Sequence, residues 1–252
     1  MPQTPLQILV TRPHGQAEEL ETLLRAEGMN VFFQPTIAIG DPADAFAALD
    51  AAIQELARFQ WVVFSSVNGV EAFRNRLLAL DLWPPKTLQF AAIGSGTAQA
   101  LTESGLPVHF VPTVFRAENL AEGLTSDAAC GAQFLLIRAS RGREVLAETL
   151  RAAGGSVTQA VAYSSSDVTH DSPEWNPEIL RLMEAGRLDW VTITSSAIAA
   201  AAVRLFGDAL RKTRLVSISP LTTAALQKLG FTPDAEALEA TMPGVVAAIQ
   251  KF

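Results

Sequence analysis

The sequence predicts an α/β protein of two similar lobes, each an open parallel sheet with helices, that arose by internal duplication and are joined by a two-strand hinge. Three observations carry this prediction. Residues 8–31, moved forward by 126 places, align without a gap on 134–157 and match at nine of 24 positions, where unrelated chains would match at roughly one or two. A second pattern also recurs: Trp61–Ser66 lies on Trp190–Ser195 at an offset of 129, and Phe90–Gly105 on Leu215–Gly230 at 125. Within each copy, a short apolar run gives way to helical spacing and then to a second β-rich run, the order of a βαβ unit.

The elements follow in order. Ile8–Val10 is a buried strand, and Leu20, Leu23 and Leu24 mark the buried face of the helix after Arg12. Gly28 ends that helix and Val31–Phe33 is the next strand. Pro35–Gly40 is extended, and Asp41–Pro42 breaks the chain. Ala45–Phe59 has Phe46, Leu49, Ile53 and Leu56 at helical spacing. Trp61–Phe64 is a strand opening into Ser65–Gly69 and a helix through Leu80. After the Trp83–Pro84–Pro85 turn, Phe90–Ile93 is a strand and Gly94–Thr97 leads a helix to Gly105. Leu106–Pro112 holds a short strand and Glu118–Leu124 a helix.

The repeated unit then returns: Phe134–Ile137, a helix on Val145, Leu146, Thr149 and Leu150, Gly154, and Val157–Val161. Two wirings suit this order of copies. Either each half of the chain makes one lobe, or the lobes interleave. The second is favoured, because the segments that would cross, Pro35–Gly40 and Tyr163–Asp167, both read as strands. It assigns 1–37 with 166–252 to one lobe and 38–165 to the other, ordinary sizes for domains.

Composition narrows the function. The chain has 252 residues, 49% of them hydrophobic, and a mean hydropathy of +0.23, ample for buried sheets. Its longest apolar stretches are too short to span a bilayer, and the first residues lack the basic and apolar regions of a signal peptide; a cytoplasmic protein is expected. The single cysteine, Cys130, excludes an internal disulfide and a thiolate metal cluster. A net charge of −7 argues against a nucleic-acid surface, while leaving room for a local positive site for an anionic small molecule.

In open parallel sheets, ligands bind outside the carboxyl ends of the strands. Those ends carry Arg12, Ser65, Ser66, Thr97, Arg138, Ser195, Ser196 and Thr222, each in a short loop before a helix. Free N–H groups at helix starts hold carboxylates or phosphates. Taken singly, each hydroxyl is equally a helix cap, and the cluster Arg138, Arg141, Arg143 equally a solvated helix start. Gly94–Ser95–Gly96 begins like a dinucleotide fingerprint, but Gln99 stands where its third glycine belongs. A phosphate loop and a nucleophile elbow are missing, and His14, His109 and His170 lack metal-ligand spacing. Tyr163, the sole tyrosine, ends the repeated strand.

Together, ILVTRP at 8–13, WVVFSSVNGV at 61–70, FAAIGSGTAQAL at 90–101, LIRASRGREVLAETLRAAGGSV at 136–157 with the VAYSS that follows, WVTITSSA at 190–197 and ISPLTTAAL at 218–226 resemble the uroporphyrinogen-III synthase family. The resemblance runs from about Ile8 to Ile249. It implies the interleaved two-lobed fold with the active site in the cleft between lobes. It also implies a hydro-lyase of heme and other tetrapyrrole synthesis: hydroxymethylbilane loses water and closes with its last ring inverted, without cofactor or metal. Tyr163 matches the tyrosine proposed to assist loss of the hydroxyl, Thr97 and Thr222 the cleft threonines, and Ser65, Ser66, Ser195 and Ser196 the cleft hydroxyls. The substrate is a linear tetrapyrrole, with neither nucleic acid nor membrane as partner, and a monomer is expected. Where the family often has Ile-Gly-Pro, this chain has Ile218–Ser219–Pro220, so a local change of loop is expected there. The alternative from another class is a two-lobed binding protein that closes on a polyanion.

Overall fold

The structure, a computed structural model, describes residues 4–252. The chain opens with β1 (Gln7–Val10), α1 (Glu18–Ala26) and β2 (Asn30–Phe33). Ile8, Leu9 and Val10 are fully buried. Leu20 and Leu24, one helical turn apart, are the buried side of α1, and the acidic first turn with Arg25 in the last suits the helix dipole. Gly28 has a φ of +76°, the left-handed conformation that stops a helix and that glycine adopts without strain. β3 (Ile37–Gly40) and α2 (Ala47–Gln54) follow. The helix is shorter than Ala45–Phe59, because Ala45 and Phe46 both have positive φ. Asp44 accepts from the Ala48 N–H at 2.9 Å, and a 3-10 turn covers Leu56–Arg58.

Next come β4 (Trp61–Phe64), α3 (Val67–Ala79), β5 (Gln89–Ala92), α4 (Ser95–Glu103), α5 (Ala117–Gly123) and α6 (Thr125–Ala129). The repeated unit then gives β6 (Gln133–Ala139), α7 (Val145–Ala152) and β7 (Ser156–Asp167). The last part holds α8 (Pro177–Glu184), β8 (Trp190–Ile193), α9 (Ser196–Phe206), β9 (Arg214–Ser217), α10 (Pro220–Lys228), β10 (Ala235–Glu236) and α11 (Met242–Gln250). Every residue of β4 and of β8 is buried, as helices on both faces of a parallel sheet require.

The strands make two sheets, in the orders β10-β9-β8-β1-β2 and β3-β7-β6-β4-β5. The shared part has one connectivity, and its registers coincide under the sequence offsets. Leu9 pairs with Phe32 and Val191, and their counterparts Leu135, Thr158 and Val62 pair likewise. In place of a strand over Leu106–Pro112, a single bridge joins Ala91 to Phe110. It is the counterpart of the Val216–Ala235 pairing that makes β10. Two compact units result, one running through Ile39 and again over Ser166–Phe252, the other Gly40–Ser165.

In the first unit, one face of the sheet packs Leu9, Val191, Ile193 and Leu215 on α8 and α9, and the other packs Ile8, Val10 and Trp190 on α1 and α11. In the second, Val62, Phe64 and Phe90 meet α2 and α3, while Val63, Ala91 and Leu136 meet α5, α6 and α7. Gly244 in α11 has no space for a side chain, since a Cβ there would lie 2.2 Å from the Glu239 carbonyl oxygen. Gly244→Ala is expected to cost about 1–3 kcal/mol through this overpacking against backbone. Urea unfolding measures it, and an unchanged midpoint would refute it.

Candidate functional site

In the unit that contains β8 and β9, the candidate residues lie at the carboxyl ends of adjacent strands. Thr11, fully buried, donates its hydroxyl to the Thr192 carbonyl at 2.5 Å, tying the ends of β1 and β8 together. Arg12 is half-buried. Its Nε donates to the Gln16 carbonyl at 2.6 Å and its Nη1 to Thr194 Oγ1 at 3.1 Å. Burial pushes the guanidinium below its ordinary value, against the pull of Glu19 and Glu18. It remains a cation at neutral pH, and among the described residues no carboxylate forms an ion pair with it. Ser195 caps α9 by accepting from the Ile198 N–H at 3.1 Å, and Ser196 donates to the Leu221 carbonyl at 3.4 Å.

Ser219 and Thr222 sit together at the start of α10, their hydroxyl oxygens 3.2 Å apart. Ser219 has φ −165° and ψ 161°, an extended backbone that any residue adopts, so replacing glycine there brings no strain. Its hydroxyl instead caps the helix, accepting from the Thr222 N–H. Thr222 is almost wholly buried.

In the unit that contains β4 to β7, Val63, Ser65, Arg138, Arg141, Arg143, Gln159 and Tyr163 are among the residues lining a hollow of 270 Å³. A larger hollow of 620 Å³ lies between β10 and α11. Its lining, with Leu238, Pro243 and Phe252, brings no row of donors together, so the smaller hollow is the better candidate for chemistry.

Tyr163 reaches its place through an irregularity of the strand. β6 and β7 pair Arg138 with Val161 but Ala139 with Tyr163, leaving Ala162 as the extra residue of a bulge. Strict alternation would send Tyr163 to the same side as Val161. The bulge turns it instead onto the side of Ala160 and Ala162, where it packs against the core beneath α3. There its hydroxyl donates to Ser66 Oγ at 3.0 Å. Ser66 also caps α3, accepting from the Gly69 N–H at 3.1 Å. Ser65 is exposed, Ser66 half-buried and Thr97 buried.

Arg138 turns into its own loop. Its Nη1 reaches Glu144 and Gln159, and its Nη2 the Gly142 carbonyl at 3.2 Å. Gln159 Nε2 donates to the other Glu144 oxygen at 2.8 Å. The hydrogen bond from Arg138 and then that from Gln159 hold the Glu144 carboxyl below its ordinary value. A carboxylate whose pKa falls on folding stabilises the fold fully above its unfolded value, and that stability is lost as pH falls through the folded one. Wild type is therefore expected to lose melting temperature on acidification more steeply than Glu144→Gln. Thermal melts from neutral pH into the acid range check this, and parallel curves would refute it. Arg143 pairs with Glu118, and Arg141 donates to Ser165 Oγ at 3.2 Å.

Phe115 has no counterpart among the residues singled out from the sequence. It is 55% exposed and lies on Gly94, where a Cβ would come within 3.0 Å of its ring. A single exposed aromatic in an irregular loop gives no periodic signal by which to find it. No described helix is long and apolar enough to cross a membrane.

Comparison with known proteins gives this arrangement a family. Residues 18–247 match the family described as uroporphyrinogen-III synthase HemD. The chain is similar to the uroporphyrinogen-III synthase of Synechococcus elongatus, 31% identical over 97% of this chain and 94% of that one. It is similar also to that of Chlorobaculum parvum, 26% identical over 90% and 91%. In structure it resembles a mutant uroporphyrinogen III synthase of the extremely thermophilic bacterium Thermus thermophilus, with a TM-score of 0.70 at 18% identity over 98% of this chain and all of that one. That likeness supports the two-lobed α/β fold, and the alternative of a binding protein finds no support. With the family matched over most of its length and a relative above 30% identity spanning nearly all of it, the chain belongs to the uroporphyrinogen-III synthase family.

Proposed function

We propose that this chain closes hydroxymethylbilane into uroporphyrinogen III, with loss of water and inversion of ring D, in tetrapyrrole synthesis, acting as a cytoplasmic monomer that needs no cofactor. The family match carries the overall reaction. The observation that supports a residue-level reading is the hydroxyl of Tyr163, bonded to Ser66 beside an arginine-lined hollow at the strand ends.

The substrate supplies most of the driving force. Electrons of the first pyrrole expel the hydroxyl and leave an azafulvene cation. The terminal ring attacks it through its substituted carbon, and the spiro intermediate fragments and recloses with that ring reversed. What remains for the protein is to fix the chain in a reactive shape, keep water from the cation and lend a proton to the departing oxygen. Tyr163 is the proposed source of that proton. Arg12, without an ion-pair partner among the described residues, is the arginine best suited to a substrate carboxylate. The hydroxyls of Ser65, Ser66, Ser195 and Ser196 and the helix starts that carry Thr97 and Thr222 are proposed to bind the remaining polar groups. Arg138 contributes by holding the loop over 139–144 in shape, since its donors are engaged there.

Incubation with hydroxymethylbilane and separation of the product isomers tests the reading. The type III isomer is expected. Type I alone, the product of spontaneous closure, would overturn it.

A further inference from the structure

The second hydroxyl of the Tyr163 contact has a role that capping does not explain. Ser66 Oγ accepts two hydrogen bonds, from the Tyr163 phenol at 3.0 Å and from the Gly69 N–H at 3.1 Å. A serine hydroxyl has two acceptor positions and one proton. With both acceptor positions filled, the proton is directed elsewhere, and no hydrogen bond donated by Ser66 is formed among the described residues. The duplication provides an internal comparison. Ser195, its counterpart, has nearly the same backbone, φ −164° and ψ 162° against −164° and 158°, and makes the same capping bond. The place matching Tyr163 in the first copy is Ile37, which has no hydroxyl. Capping this helix type therefore needs no phenol, and the hydroxyl that meets Ser66 belongs to the second copy alone.

We propose that Ser66 is the group that hands its proton to the leaving oxygen, and that Tyr163 refills it, the two hydroxyls forming a relay. This rests on the reading of the reaction given above. The C–O bond of the hydroxymethyl group breaks with both electrons going to oxygen, which takes the Ser66 proton and leaves as water. The Tyr163 proton passes to Ser66 Oγ, and the phenolate persists beside the azafulvene cation, an arrangement of opposite charges. When the closed ring regains aromaticity it loses a proton from carbon, and that proton restores the phenol. One water is released and the protein ends as it began.

Turnover and product isomer are measured on hydroxymethylbilane for wild type, Ser66→Ala, Ser66→Asn, Ser66→Thr, Tyr163→Phe and the double variant Ser66→Ala/Tyr163→Phe. Ser66→Ala and Tyr163→Phe are each expected to lower kcat by roughly 10- to 100-fold, with KM within about threefold. The double variant should be no slower than the slower single one, because both remove one chain of protons. Ser66→Thr keeps the hydroxyl and should stay within about threefold of wild type, while Ser66→Asn keeps the cap without the proton and should stay slow. Losses that multiply in the double variant, wild-type kcat in Ser66→Ala, or recovery in Ser66→Asn would each overturn the relay, with type III formation by wild type left intact. Type I alone from wild type would overturn the reaction and the relay with it.

Discussion

Phe64→Ala is expected to destabilise the unit built on β4 to β7 by about 3–5 kcal/mol. The ring is fully buried, meets Phe73 edge to face with centroids 5.4 Å apart, and stacks on Phe90 at 6.4 Å. Truncation forfeits the transfer free energy of the ring and both aromatic contacts, and leaves a void between β4 and α3 that rigid strands close only in part. Against a total of about 5–15 kcal/mol for a native domain, the loss is large, and the melting temperature should fall by roughly 10–20 °C. Phe64 immediately precedes Ser65 and Ser66, so the same change loosens the loop that holds the candidate hydroxyls. Leu78→Ala, at a side chain 60% exposed, should stay within about 0.5 kcal/mol of wild type. Denaturant unfolding of both variants decides the matter. A cost below about 1 kcal/mol for Phe64→Ala would mean that this core collapses around the gap.

Repetition made much of the fold legible. Two copies of one pattern, at offsets that change only in a loop, became two sheets that share four strands in one order and with the same registers. Local chemistry was less legible where geometry turns on one residue. VAYSS continues the run from Val157 without a break, glycine or proline, and nothing in it announces the extra residue at Ala162 that moves Tyr163 to the α3 side. The arginines make the same point. Arg12 and Glu18 in the first copy match Arg138 and Glu144 in the second, with equal spacing. In the second copy they form an ion pair, supported by Gln159. In the first, Arg12 turns to Thr194 and the Gln16 carbonyl, and Glu18 stays in the first turn of α1. Identical residue types thus diverge because the loops between them differ: Pro13–Ala17 against Ala139–Arg143. The two-residue β10 is too short for any periodicity to reveal it.

Tyr163→Phe is expected to reduce turnover by roughly 10- to 100-fold while leaving uroporphyrinogen III as the enzymatic product. General-acid help is commonly worth about 100-fold or more, and this leaving group departs with strong electron push from its own pyrrole, which places the effect at or below that figure. The substitution removes one oxygen and leaves the ring, whose packing on Ala162 and the core beneath α3 is unchanged in shape. The hydrogen bond to Ser66 is lost, a cost of about 0.5–1.5 kcal/mol in stability, so melting should shift only slightly and a fall in rate cannot be ascribed to unfolding. Isomer choice is a separate property. It is decided by which carbon of the terminal ring meets the cation, hence by how the substrate is folded at the strand ends, and a missing phenolic proton leaves that unaltered. Slower release of hydroxide gives the bound chain more time in the same shape, so the type III share among enzyme-formed products should stay as in wild type. Rates and isomer ratios measured together, with the spontaneous type I background subtracted, distinguish the outcomes. Wild-type turnover from folded Tyr163→Phe would remove the hydroxyl from the chemistry and leave a site that works by enclosure alone, and a switch to type I would mean that Tyr163 shapes the substrate rather than protonating it.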